Sequence, residues 1–120
     1  MGTTTNKYTP YFPIHPGEIL KDEIEYLGIS QRLLASQMGI SYTLLNEVLN
    51  GKRQVNAELA MLAEAALGLD ADTLVRMQAR YNIQVARQDK TFSERLAKIR
   101  KLSAMLWNAI YLTWDYFHVN

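Results

Sequence analysis

The chain has no cysteine, which rules out disulfides, thiolate metal sites and a cysteine nucleophile and fits a reducing compartment. Three prolines and six glycines are too few for a loop-rich or disordered chain. The two histidines, His15 and His118, stand at opposite ends with no ligand spacing around them. No Ser-His-Asp order, phosphate loop or glycine-rich dinucleotide turn is present. Nothing therefore supports catalysis, a metal or a cofactor. Long apolar runs are also missing. The longest uncharged one, Leu102 to Trp114, has 13 residues, short of the roughly 18 or more that crossing a bilayer requires. Residues 1–9 lack the apolar stretch of a secretory signal. The expectation is a soluble, cytoplasmic, non-enzymatic protein with no membrane partner.

The 120 residues suit one domain and one core, with room for an arm at either end. A net charge of +1 conceals an uneven distribution. Residues 1–75 hold five Lys/Arg against nine Asp/Glu, whereas residues 76–101 hold eight against two. A basic second half suits nucleic-acid phosphates or an acidic partner, and a solvated helix face explains the run equally well.

The apolar periodicity is helical throughout. Residues 1–13, with threonines, tyrosines and prolines but no period, read as an extended arm. Pro16 suits the first turn of a helix whose stripe of Ile19, Leu20, Glu23, Ile24 and Leu27 runs to a stop at Gly28. Ser30 caps a second helix with Leu33, Leu34, Ala35 and Met38, broken by Gly39. Ser41 caps a third, with Leu44, Leu45, Val48 and Leu49 inward, which Gly51 ends. Asn56 opens a fourth, rich in alanine and leucine and ending at Gly68. Asp70 or Asp72 opens a fifth, with Leu74, Met77 and Tyr81 inward. Thr91 and Glu94 match a capping box for a sixth, where Phe92, Leu96, Ile99, Leu102, Leu106 and Ile110 recur at three- and four-residue steps. No β-alternation of useful length appears, so the chain is expected to be all-α.

The second and third helices carry the pattern of a helix-turn-helix over Gln31 to Asn50. Two short helices held at a steep angle by a tight turn need a small residue at their crossing, a turn residue tolerant of positive φ, and apolar positions facing the core. Leu34, Met38, Ile40, Leu45 and Val48 fill the apolar positions, Ala35 is the small residue and Gly39 takes the turn. In such a pair the start of the second helix reaches base edges. Ser41, Tyr42, Thr43, Asn46 and Glu47 are the candidate readers. Asparagine suits adenine, threonine a base edge or thymine methyl, and glutamate cytosine N4. Gln31 and Arg32 on one side, and Lys52 and Arg53 after Gly51, are the candidate phosphate contacts. The third helix has no Lys or Arg and carries Glu47, so modest monomer affinity and a need for dimerisation are expected. The competing reading is a solvated helix face on a protein–protein adaptor that no longer binds DNA.

His15-Pro16-Gly17-Glu18-Ile19-Leu20, the helix-turn-helix, Leu49-Asn50-Gly51-Lys52-Arg53 and Met77-Gln78-Ala79-Arg80-Tyr81 together resemble the HigA family of Xre-type antitoxins over about residues 14–87. The resemblance implies a lambda-repressor-like five-helix bundle that dimerises and binds double-stranded operator DNA in its own promoter. It also implies neutralisation of a HigB-type toxin that cleaves mRNA. A stand-alone Xre-type repressor is the alternative. Two departures stand out: Asp72-Thr73-Leu74-Val75 replaces an aromatic-rich opening of the fifth helix, and residues 91–120 run past the usual end. Leu74, Met77 and Tyr81, with Leu96, Ile99 and Leu106, are the candidate dimer or partner contacts. Glu18, Asp22, Glu23 and Glu25 make the first helix acidic, as a partner for a basic toxin or simply for solubility. The sixth helix, over 91–117, either closes the core of its own subunit, packs as a dimer arm or lies on a membrane. Trp107, Tyr111, Trp114, Tyr116 and Phe117 would leave a large apolar patch unless covered, and burial against a second subunit is expected.

Overall fold

Local cap chemistry sets the element boundaries. In the computed structural model, which describes residues 13–119 and side chains as far as Phe117, there are six helices and no strand among the described residues. They are α1 (Pro16–Leu27), α2 (Gln31–Met38), α3 (Tyr42–Leu49), α4 (Ala57–Leu67), α5 (Ala71–Gln88) and α6 (Lys90–Val119). Pro13 apart, the arm expected over residues 1–13 lies outside the described residues, as does the His118 side chain.

Ser30, Ser41 and Asn56 each accept the N–H three residues on, at 3.1, 3.0 and 2.8 Å, so α2, α3 and α4 start where the sequence places them. Asp70 does the same for α5, accepting from both the N–H and the hydroxyl of Thr73. These two bonds hold the Asp70 carboxyl below its ordinary pKa. The capping box at Thr91 does not form. Asp89 accepts the Phe92 N–H at 2.9 Å, and aspartate two residues upstream already starts the helix at Lys90. At the other end of α3, Asn50 is the cap and Gly51 takes the left-handed turn beyond it.

The described residues divide into two units, one ending at Gln84 and the other starting at Val85. The first therefore closes inside α5, three residues before the boundary expected at 87. Its core is built from Leu20 and Ile24 of α1, Leu34, Ala35 and Met38 of α2, and Leu45, Val48 and Leu49 of α3. Val55, Leu59, Ala60 and Ala63 extend it through α4, and Leu74 anchors α5. Each fully buried leucine stabilises this unit by about 1.5–3 kcal/mol relative to exposure. Leu74 is 2% exposed within a single chain. It is a core residue and not the partner contact expected, because α5 turns that side inward. Leu27 of α1 and Leu33 of α2, members of those helices' apolar stripes, are about half exposed.

The second unit holds the end of α5 and all of α6. No residue of α6 belongs to the core cluster of the first unit. Leu102, Leu106, Trp107, Tyr111 and Phe117 are mostly exposed. Among the described residues no helix is long and apolar enough to cross a membrane.

Candidate nucleic-acid interface

The helix-turn-helix pair packs as its residue types require. Ala35 is 3% exposed, Leu34 and Leu45 are fully buried, and Val48 and Met38 lie inside with them. Ile40 packs half-buried against this core. Gly39 sits at φ 70° with its N–H on the carbonyls of Ala35 and Ser36, the left-handed turn that a side chain resists.

Gly17 fixes how α1 meets α3. A Cβ added there would lie 2.0 Å from the Val48 carbonyl oxygen, so only glycine permits the approach. His15, 4% exposed, locks the same corner. Its Nδ1 accepts the Gly17 N–H at 2.9 Å, its ring meets Tyr81 edge-on at 5.0 Å, and the ring lies against Gly51. Burial pushes the His15 pKa below its ordinary value, against smaller raising effects of a hydrogen bond with the Arg53 backbone and of Glu18.

A second anchor holds the loop after α3. Gln78, 4% exposed, accepts the Val55 N–H at 2.8 Å and donates to Asn82, which donates to Gln54. Residues 51–55 are thus held from α1 on one side and from α5 on the other.

On this frame α3 turns Tyr42 and Thr43 outward, with Tyr42 39% exposed, while Asn46 and Glu47 are half-buried. Ser41 is exposed, its hydroxyl oxygen occupied as the cap. The side chains form three groups. Arg32 lies over the Tyr42 ring, 4.8 Å from its centroid, a cation–π contact that steadies both. Gln31 accepts from the Asn46 amide at 3.0 Å, and Asn50 donates to the Asn46 side-chain oxygen at 3.2 Å and to its carbonyl at 2.9 Å. Asn46 is therefore held in one orientation with one N–H and one lone pair still available. Arg53 makes a two-point ion pair with Glu47, both contacts at 2.9 Å. Lys52 is exposed, and its backbone N–H closes the turn on Glu47. Among the described residues no cluster of His, Asp and Glu has the makings of a metal site.

All nine expected interface residues thus fall on or beside α3, but Gln31 and Arg53 are aimed at neighbouring side chains. His15 caps α1, as its place before Pro16 suggests, whereas Gly17, Gln54, Gln78 and Asn82, which also support the site, were not singled out from the sequence as its supports. Of the expected partner contacts on α5, Tyr81 is taken up by His15, while Met77 is half-buried beside a shallow hollow with Ile14, Arg80 and Gln84.

A capped, glycine-turned helix pair with one exposed polar face defines a helix-turn-helix protein, and the helix-turn-helix family model matches residues 20–74. The chain is 36% identical to virulence-associated protein I of Dichelobacter nodosus over 78 residues, 64% of this chain and 72% of the relative. Among solved structures it is similar to an addiction module antidote protein of a HigA family from Coxiella burnetii. That match has TM-score 0.65 and 31% identity over 72% of this chain and 94% of the other. It is also similar to the Pseudomonas aeruginosa antitoxin HigA, solved with the higBA promoter, with TM-score 0.59 and 30% identity over 62% and 83%. The chain belongs to the HigA family of Xre-type helix-turn-helix antitoxins.

Proposed function

We propose that this protein represses its own operon by inserting α3 into the major groove and neutralises a HigB-type mRNA-cleaving toxin encoded beside it. The observation that carries the DNA part is the outward Tyr42, Thr43 and Asn46, with Asn46 pre-oriented by Gln31 and Asn50. A side chain already held loses less freedom on binding a base edge. The likeness to an antitoxin solved with its promoter supports the same reading. Ser41 and Glu47 lie at the edge of this face. Gln31 and Arg32 approach phosphates from the start of α2, and Lys52 and Arg53 from the loop. Binding as a homodimer supplies the affinity that one short reading face without Lys or Arg lacks.

A gel-shift titration against the upstream region of its own operon, at several salt concentrations, tests this. Asn46→Ala is expected to weaken operator binding by about 1–3 kcal/mol and relax one base position. Lys52→Ala should weaken binding to all sequences alike and reduce the salt slope by about one. Wild-type protein without salt-dependent operator binding refutes the proposal and favours the adaptor reading.

The toxin side rests on the acidic face of α1. Glu18, Asp22 and Glu25 are exposed and share a shallow hollow of about 580 Å³, and Glu23 is half-buried. Reversing Glu18, Asp22 and Glu23 to lysine should weaken capture of the toxin and spare operator binding. Unchanged toxin affinity removes α1 as the contact.

A further inference from the structure

We infer that α6 is a self-association helix, and that the α6 segments of two copies of this chain pack antiparallel over residues 102–117. The inference deepens the homodimer reading above and uses no DNA contact. Phe92, Leu96, Ile99, Leu106, Ile110 and Phe117 recur in alternating steps of four and three, with Ser103 and Thr113 at the two intervening positions. That is the seven-residue repeat of one helix packed along another. Leu102, which the shorter stripe included, falls beside this seam, on the same flank as Tyr116 two repeats further on, and Trp107 lies on the other flank. The opposite side is polar, since Glu94, Lys101, Asn108 and Asp115 recur seven residues apart.

The exposed area matches what a stable pair requires. An aromatic side chain buries about 150–250 Å² when covered. Trp107, Tyr116 and Phe117 are 67%, 71% and 71% exposed, so two copies offer on the order of 600–1,000 Å² from these residues alone. Leu102, Leu106 and Ile110, each about half exposed or more, bring the total into the range of roughly 1,200–2,000 Å² typical of specific interfaces.

Charge selects the direction. Arg87, Lys90, Arg95, Lys98, Arg100 and Lys101 precede the apolar stretch, against only Asp89 and Glu94. A parallel pair sets two such clusters side by side, within a Debye length of about 8–10 Å. An antiparallel pair centred near Ile110 sends them to opposite ends, with the two Lys101 roughly 27 Å apart along the axis, where salt screens the repulsion. A lipid surface fits less well. The charges segregate along the helix, whereas a helix lying in a headgroup layer carries them around its polar face.

The lack of native cysteine permits a single-site test on the full chain. A nitroxide on Glu94→Cys, on the polar side, should report an inter-label separation near 48 Å along the axis, and sedimentation without DNA should give twice the chain mass. A separation under about 30 Å, as a parallel pair gives, overturns the antiparallel arrangement. The Leu106→Lys/Ile110→Lys variant should sediment at half the mass while the first unit keeps its thermal transition by circular dichroism. A variant that stays dimeric overturns the assignment to α6. So does a monomeric wild type, whether or not it co-sediments with vesicles of equal parts phosphatidylcholine and phosphatidylserine. Failure of operator binding leaves all these readouts unchanged and so counts against the DNA reading alone.

Discussion

Replacing Gly17 by alanine sets two rules against each other. In a helix, glycine to alanine ordinarily stabilises by about 1 kcal/mol. Here the added methyl carbon would start 2.0 Å from the Val48 carbonyl oxygen and 3.0 Å from His15 Nδ1. Reaching an ordinary contact of about 3.5 Å requires α1 to move off α3 by roughly 1.5 Å. The obstacle is backbone, which cannot rotate away, so the cost belongs at the upper end of the roughly 1–3 kcal/mol typical of overpacking. The net expectation is a loss of about 2 kcal/mol, which for a domain of this size lowers Tm by roughly 8–16 °C. Circular dichroism at the helical band is the suitable assay, because both tryptophans lie in α6 and report on the other unit. Glu18→Ala, one residue on and exposed, should stay within about 0.5 kcal/mol of wild type. A Gly17→Ala protein that melts at or above wild type refutes the account of the α1–α3 contact.

Stability of the first unit should fall as pH drops below about 6.5, because the unfolded His15 takes up a proton that the buried, depressed folded form resists. Above that range the contribution is complete. His15→Asn keeps a capping side chain without the titration, so its pH profile from 7 to 5, followed by thermal melts, should be flatter. Gln78→Leu leaves the Val55 N–H buried without a partner and should cost about 1–3 kcal/mol by urea denaturation, with the midpoint shifted and the slope kept. Glu47→Gln removes a charge that holds Arg53. An exposed pair of this kind contributes about 0–1 kcal/mol, so operator binding should tighten only a few-fold, with a steeper salt dependence read in the same gel-shift series. Weaker binding would instead make Glu47 itself a base contact.

What was legible in the sequence was what short stretches of chain decide. Ser30, Ser41 and Asn56 announce helix starts because their oxygens reach an N–H only three residues away. Leu34, Ala35, Gly39 and Val48 announce the helix pair because the crossing admits few residue types. The misreading at Thr91 is of the same local kind, since Asp89, two residues upstream, already takes the Phe92 N–H and starts the helix before Thr91 is reached. The contacts that hold the interface were not legible, because they join residues distant along the chain. Gly17 meets Val48 across a helix crossing, Gln78 reaches back to Val55, and Asn46 donates to Gln31 fifteen residues earlier. Leu74 looked available to a partner because periodicity identifies an apolar side without saying what covers it.

The bridge running from Gln78 through Asn82 to Gln54 consists wholly of uncharged amides. Dissolved ions weaken phosphate contacts but leave such bonds almost untouched, so the segment bearing Lys52 and Arg53 keeps its seat from dilute buffer to concentrated brine. An affinity measured across that span consequently counts the cations displaced from the duplex and the screening of the Arg53–Glu47 pair, free of any contribution from a loosening amide bridge.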